Sequence, residues 1–73
     1  MKTIAELRKE RGWTQLELAI KLGVTPATIY NWERGRNEPR ASQFRDIART
    51  FGVSMDSIVV PGEDQAPGQQ EAA

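Results

Sequence analysis

The sequence predicts an all-α fold, a compact bundle of five short helices. Apolar residues recur at helical spacing through most of the chain, as core positions of successive helices do. Glycine follows four of these stretches, where a left-handed residue can close a helix without steric cost: Gly12, Gly23, Gly35 and Gly52. Only residues 58–60 suggest a strand, and that run is too short to pair alone.

Threonine marks the start of each of the first three helices, predicted over 3–11, 14–22 and 25–34. Thr3 and Thr14 are each followed by a glutamate three residues later, which is the spacing of a capping box. Thr25 precedes Pro26, and proline suits the first helical position because its missing N–H would be unbonded there. These start signals agree with the glycine stop signals.

The last two helices are predicted over 41–51 and 54–59, the first after a turn that begins at Pro39 and the second starting at Ser54. The helical spacing of apolar residues predicts that the core consists of Ile4, Leu7, Leu18, Ala19, Leu22, Ile29, Trp32, Phe44, Ile47, Ala48, Phe51 and Ile58. Three apolar residues fall in turns and are expected to close the ends of this core: Trp13, Val24 and Val53.

The composition excludes several classes of protein. A chain of 73 residues is one small domain at most. It has no Cys and no His, so thiolate sites, imidazole ligands and the commonest general base are absent. We therefore predict that it is not an enzyme, with no catalytic residue, no metal and no cofactor. No apolar run is long enough to span a bilayer and the N-terminus lacks an apolar signal segment, so we expect a cytoplasmic protein without a membrane partner.

Charge divides the chain into two parts. Residues 1–60 carry all ten basic residues against seven acidic ones, a net charge of +3. Residues 61–73 carry three acidic residues and no basic one, and no aliphatic side chain larger than Ala. We predict a folded domain over 1–60 and a disordered acidic tail over 61–73.

The segment 14–34 has the form of a helix-turn-helix, two short helices joined by a glycine-containing turn. On a helical wheel its second helix has an apolar side and a side with short polar groups. The residues predicted to read bases in the major groove are Pro26, Ala27, Thr28 and Asn31. Asn31 can bond adenine at two points, and Ala27 or Thr28 can touch a thymine methyl. An ordinary solvated face is the alternative.

Residues predicted to contact DNA phosphates surround this face: Thr14, Gln15, Tyr30, Arg34, Arg36 and Arg40. Gln15 lies at a helix N-terminus, where backbone N–H groups favour an anion, whereas Thr14 is first of all a cap. The arginines cluster in and beside the loop after the third helix, as backbone clamps do. A solubilising basic loop is the alternative.

At these residues the sequence resembles the Cro/cI-type (Xre-like, lambda-repressor-like) helix-turn-helix transcriptional regulators. The similar stretches are 4–8, 13–19, 21–25, 29–35 and 51–54. The resemblance implies the same four base-reading positions, and phosphate contacts at Gln15, Arg34 and the basic loop that follows. It also implies a partly buried ion pair between Arg8 and Glu33 that links the first and third helices. Relatives bind as two-fold dimers to half-sites about 34 Å apart.

The sequence therefore predicts a regulator, expected to be a repressor, that binds double-stranded DNA at a near-palindromic operator as a homodimer. Met55, Val59 and Val60 are the possible dimer contact. One alternative is an antitoxin or restriction-modification controller of the same fold, with a protein partner held by the acidic tail. The other is a protein-interaction module that does not bind DNA.

Overall fold

The computed structural model describes residues 1–60, so the predicted acidic tail over 61–73 lies outside the described residues. Four α-helices form the body: α1 (Ile4–Glu10), α2 (Gln15–Leu22), α3 (Pro26–Glu33) and α4 (Ala41–Phe51). Two short strands, β1 (Lys2–Thr3) and β2 (Ile58–Val59), lie at the two ends of this part of the chain, and a 3-10 turn (Met55–Ser57) precedes β2. The mainly helical architecture that the sequence predicts is confirmed.

Side-chain caps fix where α1 and α2 begin. The Thr3 backbone N–H donates to Glu6 Oε1 at 2.8 Å, and the Glu6 N–H donates back to Thr3 Oγ1 at 3.1 Å. The corresponding distances between Thr14 and Glu17 are 2.7 and 3.0 Å. Both predicted capping boxes are confirmed, so two N–H groups that a helix start leaves unbonded are satisfied in each. The bond from Thr3 lowers the pKa of the Glu6 carboxyl, because it stabilises the carboxylate.

The predicted fifth helix over 54–59 is wrong. Those residues form the 3-10 turn followed by β2, which pairs in parallel with β1 so that Lys2 lies opposite Ile58 and Thr3 opposite Val59. The run Ile58-Val59-Val60 is β-branched throughout, and such side chains favour extended backbone. A partner strand from the opposite end of the domain supplies the hydrogen bonds that the run could not find locally.

One hydrophobic core lies between the four helices. The predicted core residues are confirmed: ten are buried, and Leu22 and Phe44 are partly buried against them. The predicted turn residues Trp13, Val24 and Val53 also pack against this core. Trp13 stacks on Phe51 with ring centroids 5.5 Å apart. Within residues 1–60, no helix has the length and apolar character needed to cross a membrane.

Candidate nucleic-acid interface

The turn between α2 and α3 is built around Gly23, whose φ of +73° is left-handed. This conformation lets the Val24 N–H donate to the Ala19 carbonyl at 3.0 Å, which closes the end of α2. Ala19 is fully buried, so its small side chain allows α3 to pack closely on α2. Thr25 then caps α3, accepting a 3.2 Å bond from the Thr28 N–H. These contacts fix the two helices of the pair relative to each other.

Helix α3 presents two different faces. Ile29 and Trp32 are buried in the core, with 0% and 3% of their surface exposed. The four predicted base-reading residues lie toward solvent: Pro26 and Ala27 are exposed, and Thr28 and Asn31 are partly exposed. The Thr28 hydroxyl lies 2.9 Å from the Thr25 hydroxyl, so one of its hydrogen bonds is made within the helix start. The rest of this face is free for a ligand.

An exposed basic segment continues from the end of α3. Gly35 adopts a φ of +75°, and the next N–H, that of Arg36, donates to the Asn31 carbonyl at 2.9 Å. The loop therefore turns back toward the helix that it leaves. The guanidinium carbons of Arg34 and Arg36 lie 5.6 and 6.0 Å from the centroid of the Tyr30 ring. The sequence indicated the basic loop but not the contact of Arg36 with Tyr30, which depends on the turn at Gly35.

The arginines of this segment form no ion pair within residues 1–60, although Glu38 lies in the same loop. Arg34, Arg36 and Arg40 are all exposed, and the ion pairs found within residues 1–60 join Lys2 to Glu10 and Arg8 to Glu33. Glu6 and Glu17 are used as helix caps. Three guanidinium groups beside the exposed face of α3 are therefore not held in ion pairs by a carboxylate of the described domain.

Beneath this surface, Arg8 and Glu33 form a bidentate ion pair, with 2.7 Å from Nε to Oε2 and 3.1 Å from Nη2 to Oε1. Their side chains are only 11% and 8% exposed. Arg8 Nη1 also donates to the Trp13 carbonyl at 2.8 Å. Gln15 Nε2 donates to Glu33 Oε1 at 3.0 Å. The network connects α1, the following turn, α2 and α3, and so fixes the orientation of α3.

This network changes the interpretation of Gln15, for which the sequence predicted a phosphate contact. One donor of its side-chain amide is directed inward to Glu33, and the residue is only partly exposed. Sequence reasoning missed this contact because Gln15 and Glu33 belong to different helices. Thr14, by contrast, is exposed, and its hydroxyl oxygen accepts the cap bond while its O–H remains available as a donor.

The predicted dimer contact needs a correction. Val60 is 2% exposed within the chain, so it is part of the interior and not of a surface. Val60 comes directly after β2, and the pairing of β2 with β1 holds this part of the chain against the domain. Met55 is 36% exposed and Val59 is partly exposed. These two residues are all that remains of the predicted apolar contact.

Comparison with known proteins gives one family. The family model described as "Helix-turn-helix" (HTH_3) matches residues 4–58. An uncharacterized HTH-type transcriptional regulator of Methanothermobacter thermautotrophicus is 44% identical over 64 residues, covering 86% of this chain and 93% of the relative. Another, of Archaeoglobus fulgidus, is 33% identical over 66 residues, covering 90% of this chain and 94% of the relative.

A third relative is named as an antitoxin. The antitoxin HipB of Escherichia coli K12 is 39% identical over 49 residues, which are 67% of this chain and 56% of HipB. No solved structure matches this chain significantly.

Proposed function

The chain belongs to the helix-turn-helix family of DNA-binding transcriptional regulators, and from this we propose that it is a sequence-specific repressor that reads the major groove with α3. The exposed face of α3 carries the proposal. Short or apolar groups at Pro26, Ala27 and Thr28 allow close approach to base edges, and Asn31 offers a donor and an acceptor for adenine. Because Pro26 and Ala27 lack polar side-chain atoms, DNA shape contributes to recognition as well.

Phosphate contacts supply most of the affinity in this proposal. Arg34, Arg36 and Arg40 are exposed and have no carboxylate partner among residues 1–60, so binding DNA breaks no ion pair of the domain. Thr14 adds a hydroxyl donor at the edge of the same surface, where the Tyr30 ring contacts Arg34 and Arg36. Gln15 contacts phosphate through its backbone N–H, since one of its side-chain donors is used by Glu33.

Repression follows from occupancy of a promoter by two copies of the domain. One short helix reads only a few base pairs, so a near-palindromic operator with half-sites about 34 Å apart needs a homodimer. Met55 and Val59 are the proposed subunit contact. Their apolar area is small, which favours a dimer that forms together with DNA binding.

The test is selection of operator sequences from random duplex DNA with the purified 73-residue protein. We expect a short motif repeated with two-fold symmetry at one helical turn. Recovery of a single half-site would disprove the dimer, and recovery of no enriched motif would disprove sequence-specific reading.

Two variants then test the assignment of residues. Asn31→Ala should relax the preference at one base position by about 1–3 kcal/mol of discrimination. Arg34→Ala should weaken binding to all sequences and reduce the slope of log K against log salt by about one unit. Arg49→Ala, an exposed arginine on α4, is the matched control. Equal effects of Arg34 and Arg49 would contradict the proposed orientation on DNA.

The similarity to the antitoxin HipB favours a second candidate function, an antitoxin of the same fold. In that case the protein would bind both DNA and a toxin, and we propose that residues 61–73 are the segment that binds the toxin. Copurification of a stable partner from the native host would support this function. A protein that purifies alone and still selects an operator would support a stand-alone repressor.

A further inference from the structure

Tyr30 is the only aromatic residue on the exposed side of α3, and two guanidinium groups stack on it. The guanidinium carbon of Arg34 lies 5.6 Å from the ring centroid and that of Arg36 lies 6.0 Å away. The Tyr30 side chain is not buried, since 41% of its surface is exposed. This tyrosine does not fill the core, and its contacts with two arginines place it where it can restrict the positions of their guanidinium groups.

The two contacts arise in different ways. Arg34 follows Tyr30 by four residues, and side chains at this spacing on a helix are neighbours. Arg36 reaches the ring only because Gly35 turns the chain back, a geometry held by the Arg36 N–H bond to the Asn31 carbonyl at 2.9 Å. Arg40, which lies farther along the same loop, makes no contact with the Tyr30 ring.

We propose that Tyr30 is a positioning residue that holds the guanidinium groups of Arg34 and Arg36 in place for DNA phosphates. The inference rests on the proposed DNA-binding function and adds a specific role to it. A free arginine side chain loses much rotamer entropy when it binds an anion. Stacking on an aromatic face removes part of that loss in advance, and the guanidinium edges stay available for phosphate oxygens.

The test compares Tyr30→Phe with Tyr30→Leu in the full 73-residue chain. Phenylalanine keeps the aromatic face and removes the hydroxyl, whereas leucine removes the face. We expect Tyr30→Phe to bind operator DNA within about twofold of the unmodified protein. Tyr30→Leu should bind about three- to tenfold more weakly, with the salt slope unchanged because both arginines keep their charge. Thermal unfolding should be similar for the two variants.

A second measurement separates positioning from a direct contact. Tyr30→Leu is combined with Arg36→Ala and, as a matched control, with Arg40→Ala. The losses of DNA affinity from Tyr30→Leu and Arg36→Ala should be strongly non-additive, because Tyr30→Leu has already removed the ring that Arg36 contacts. The losses from Tyr30→Leu and Arg40→Ala should be additive.

Three results would bear against the inference in distinguishable ways. If Tyr30→Phe loses as much affinity as Tyr30→Leu, the hydroxyl contacts phosphate directly and the positioning role is wrong. Additive losses with Arg36 would also overturn it. If the unmodified protein binds no DNA at all, the proposed function itself fails before the variants are compared.

Discussion

Arginine is used in two opposite ways on the two sides of α3. On the inner side, Arg8 is 11% exposed and makes three hydrogen bonds, two to Glu33 and one to the Trp13 carbonyl. On the outer side, Arg34 and Arg36 are exposed, contact an aromatic ring and have no carboxylate partner within residues 1–60. The same chemical group is satisfied by the fold in one place and left for an external anion in the other.

The difference teaches that a count of positive charge says little about where DNA binds. Residues 1–60 carry a net charge of only +3. The fold uses the charge of Arg8 internally, in an ion pair with Glu33, whereas Arg34, Arg36 and Arg40 beside α3 form no ion pair within residues 1–60. The inner arginine should therefore matter for stability and the outer arginines for affinity, and the following experiments test that division.

The largest effect is expected for Arg8→Ala. It removes three hydrogen bonds and leaves the buried Glu33 carboxylate with only the Gln15 amide as a side-chain partner within residues 1–60. Loss of one partner of a buried ion pair costs about 3–5 kcal/mol. Because a small domain has little stability to lose, the protein should be largely unfolded, as measured by circular dichroism and chemical denaturation.

The double variant Arg8→Met with Glu33→Leu serves as the control for that experiment. It removes both charges and keeps apolar volume, so much of the lost stability should return. If Arg8→Ala alone unfolds as easily as the unmodified protein, the inner arginine has no structural role and the comparison is broken.

Gln15→Ala should have an intermediate effect. It removes one hydrogen bond to the Glu33 carboxylate, while Arg8 continues to neutralise that charge. We expect a loss of about 1–2 kcal/mol in the free energy of unfolding, measured in urea. Gln15→Glu would be worse, since it places a second carboxylate against Glu33. A neutral outcome for both variants would mean that the 3.0 Å contact contributes nothing.

Arg40→Ala should change stability by less than about 0.5 kcal/mol, because the residue is exposed and its side chain has no ion-pair partner in residues 1–60. Its effect should appear on DNA instead, as a lower salt slope by about 0.9 in a fluorescence polarisation titration. A large loss of stability with unchanged DNA affinity would reverse the proposed division between inner and outer arginines.

The smallest effect concerns pH. The pKa of Glu6 is lowered from its ordinary value of 4.5 by the bond from the Thr3 backbone N–H. A depressed carboxyl pKa adds stability above the ordinary value, and that contribution is lost as pH falls through the depressed pKa. Glu6→Gln keeps an acceptor for the cap and removes the titration. Its unfolding free energy should fall less steeply below pH 4.5 than that of the unmodified protein.

The sequence predicted the first four helices well because their signals are local, whereas the fifth helix expected over 54–59 is a 3-10 turn and a strand. Thr3 and Thr14 specify two starts through residues three positions away, and Gly23 specifies an end within one turn. The parallel pair of β1 and β2 was not predicted, since neither two-residue strand carries a signal for a partner at the other end of the domain.

In the candidate site, too, the sequence predicted what depends on local signals and missed what depends on contacts between elements. Helical periodicity separates the outward residues Ala27 and Asn31 from the inward residues Ile29 and Trp32, as the structure also does. The inward bond from Gln15 to Glu33, the stacking of Arg36 on Tyr30 and the burial of Val60 all depend on contacts between elements. Periodicity within one element contains no information about them.

The pairing of β1 with β2 has a consequence for how the protein is made. The first strand is translated before all four helices and its partner strand after them. Helices α1 to α3 can associate early, whereas the contact between β1 and β2 has to form late because of its long sequence separation. Until residues 58–59 are available, the backbone groups of β1 that face β2 have no partner strand.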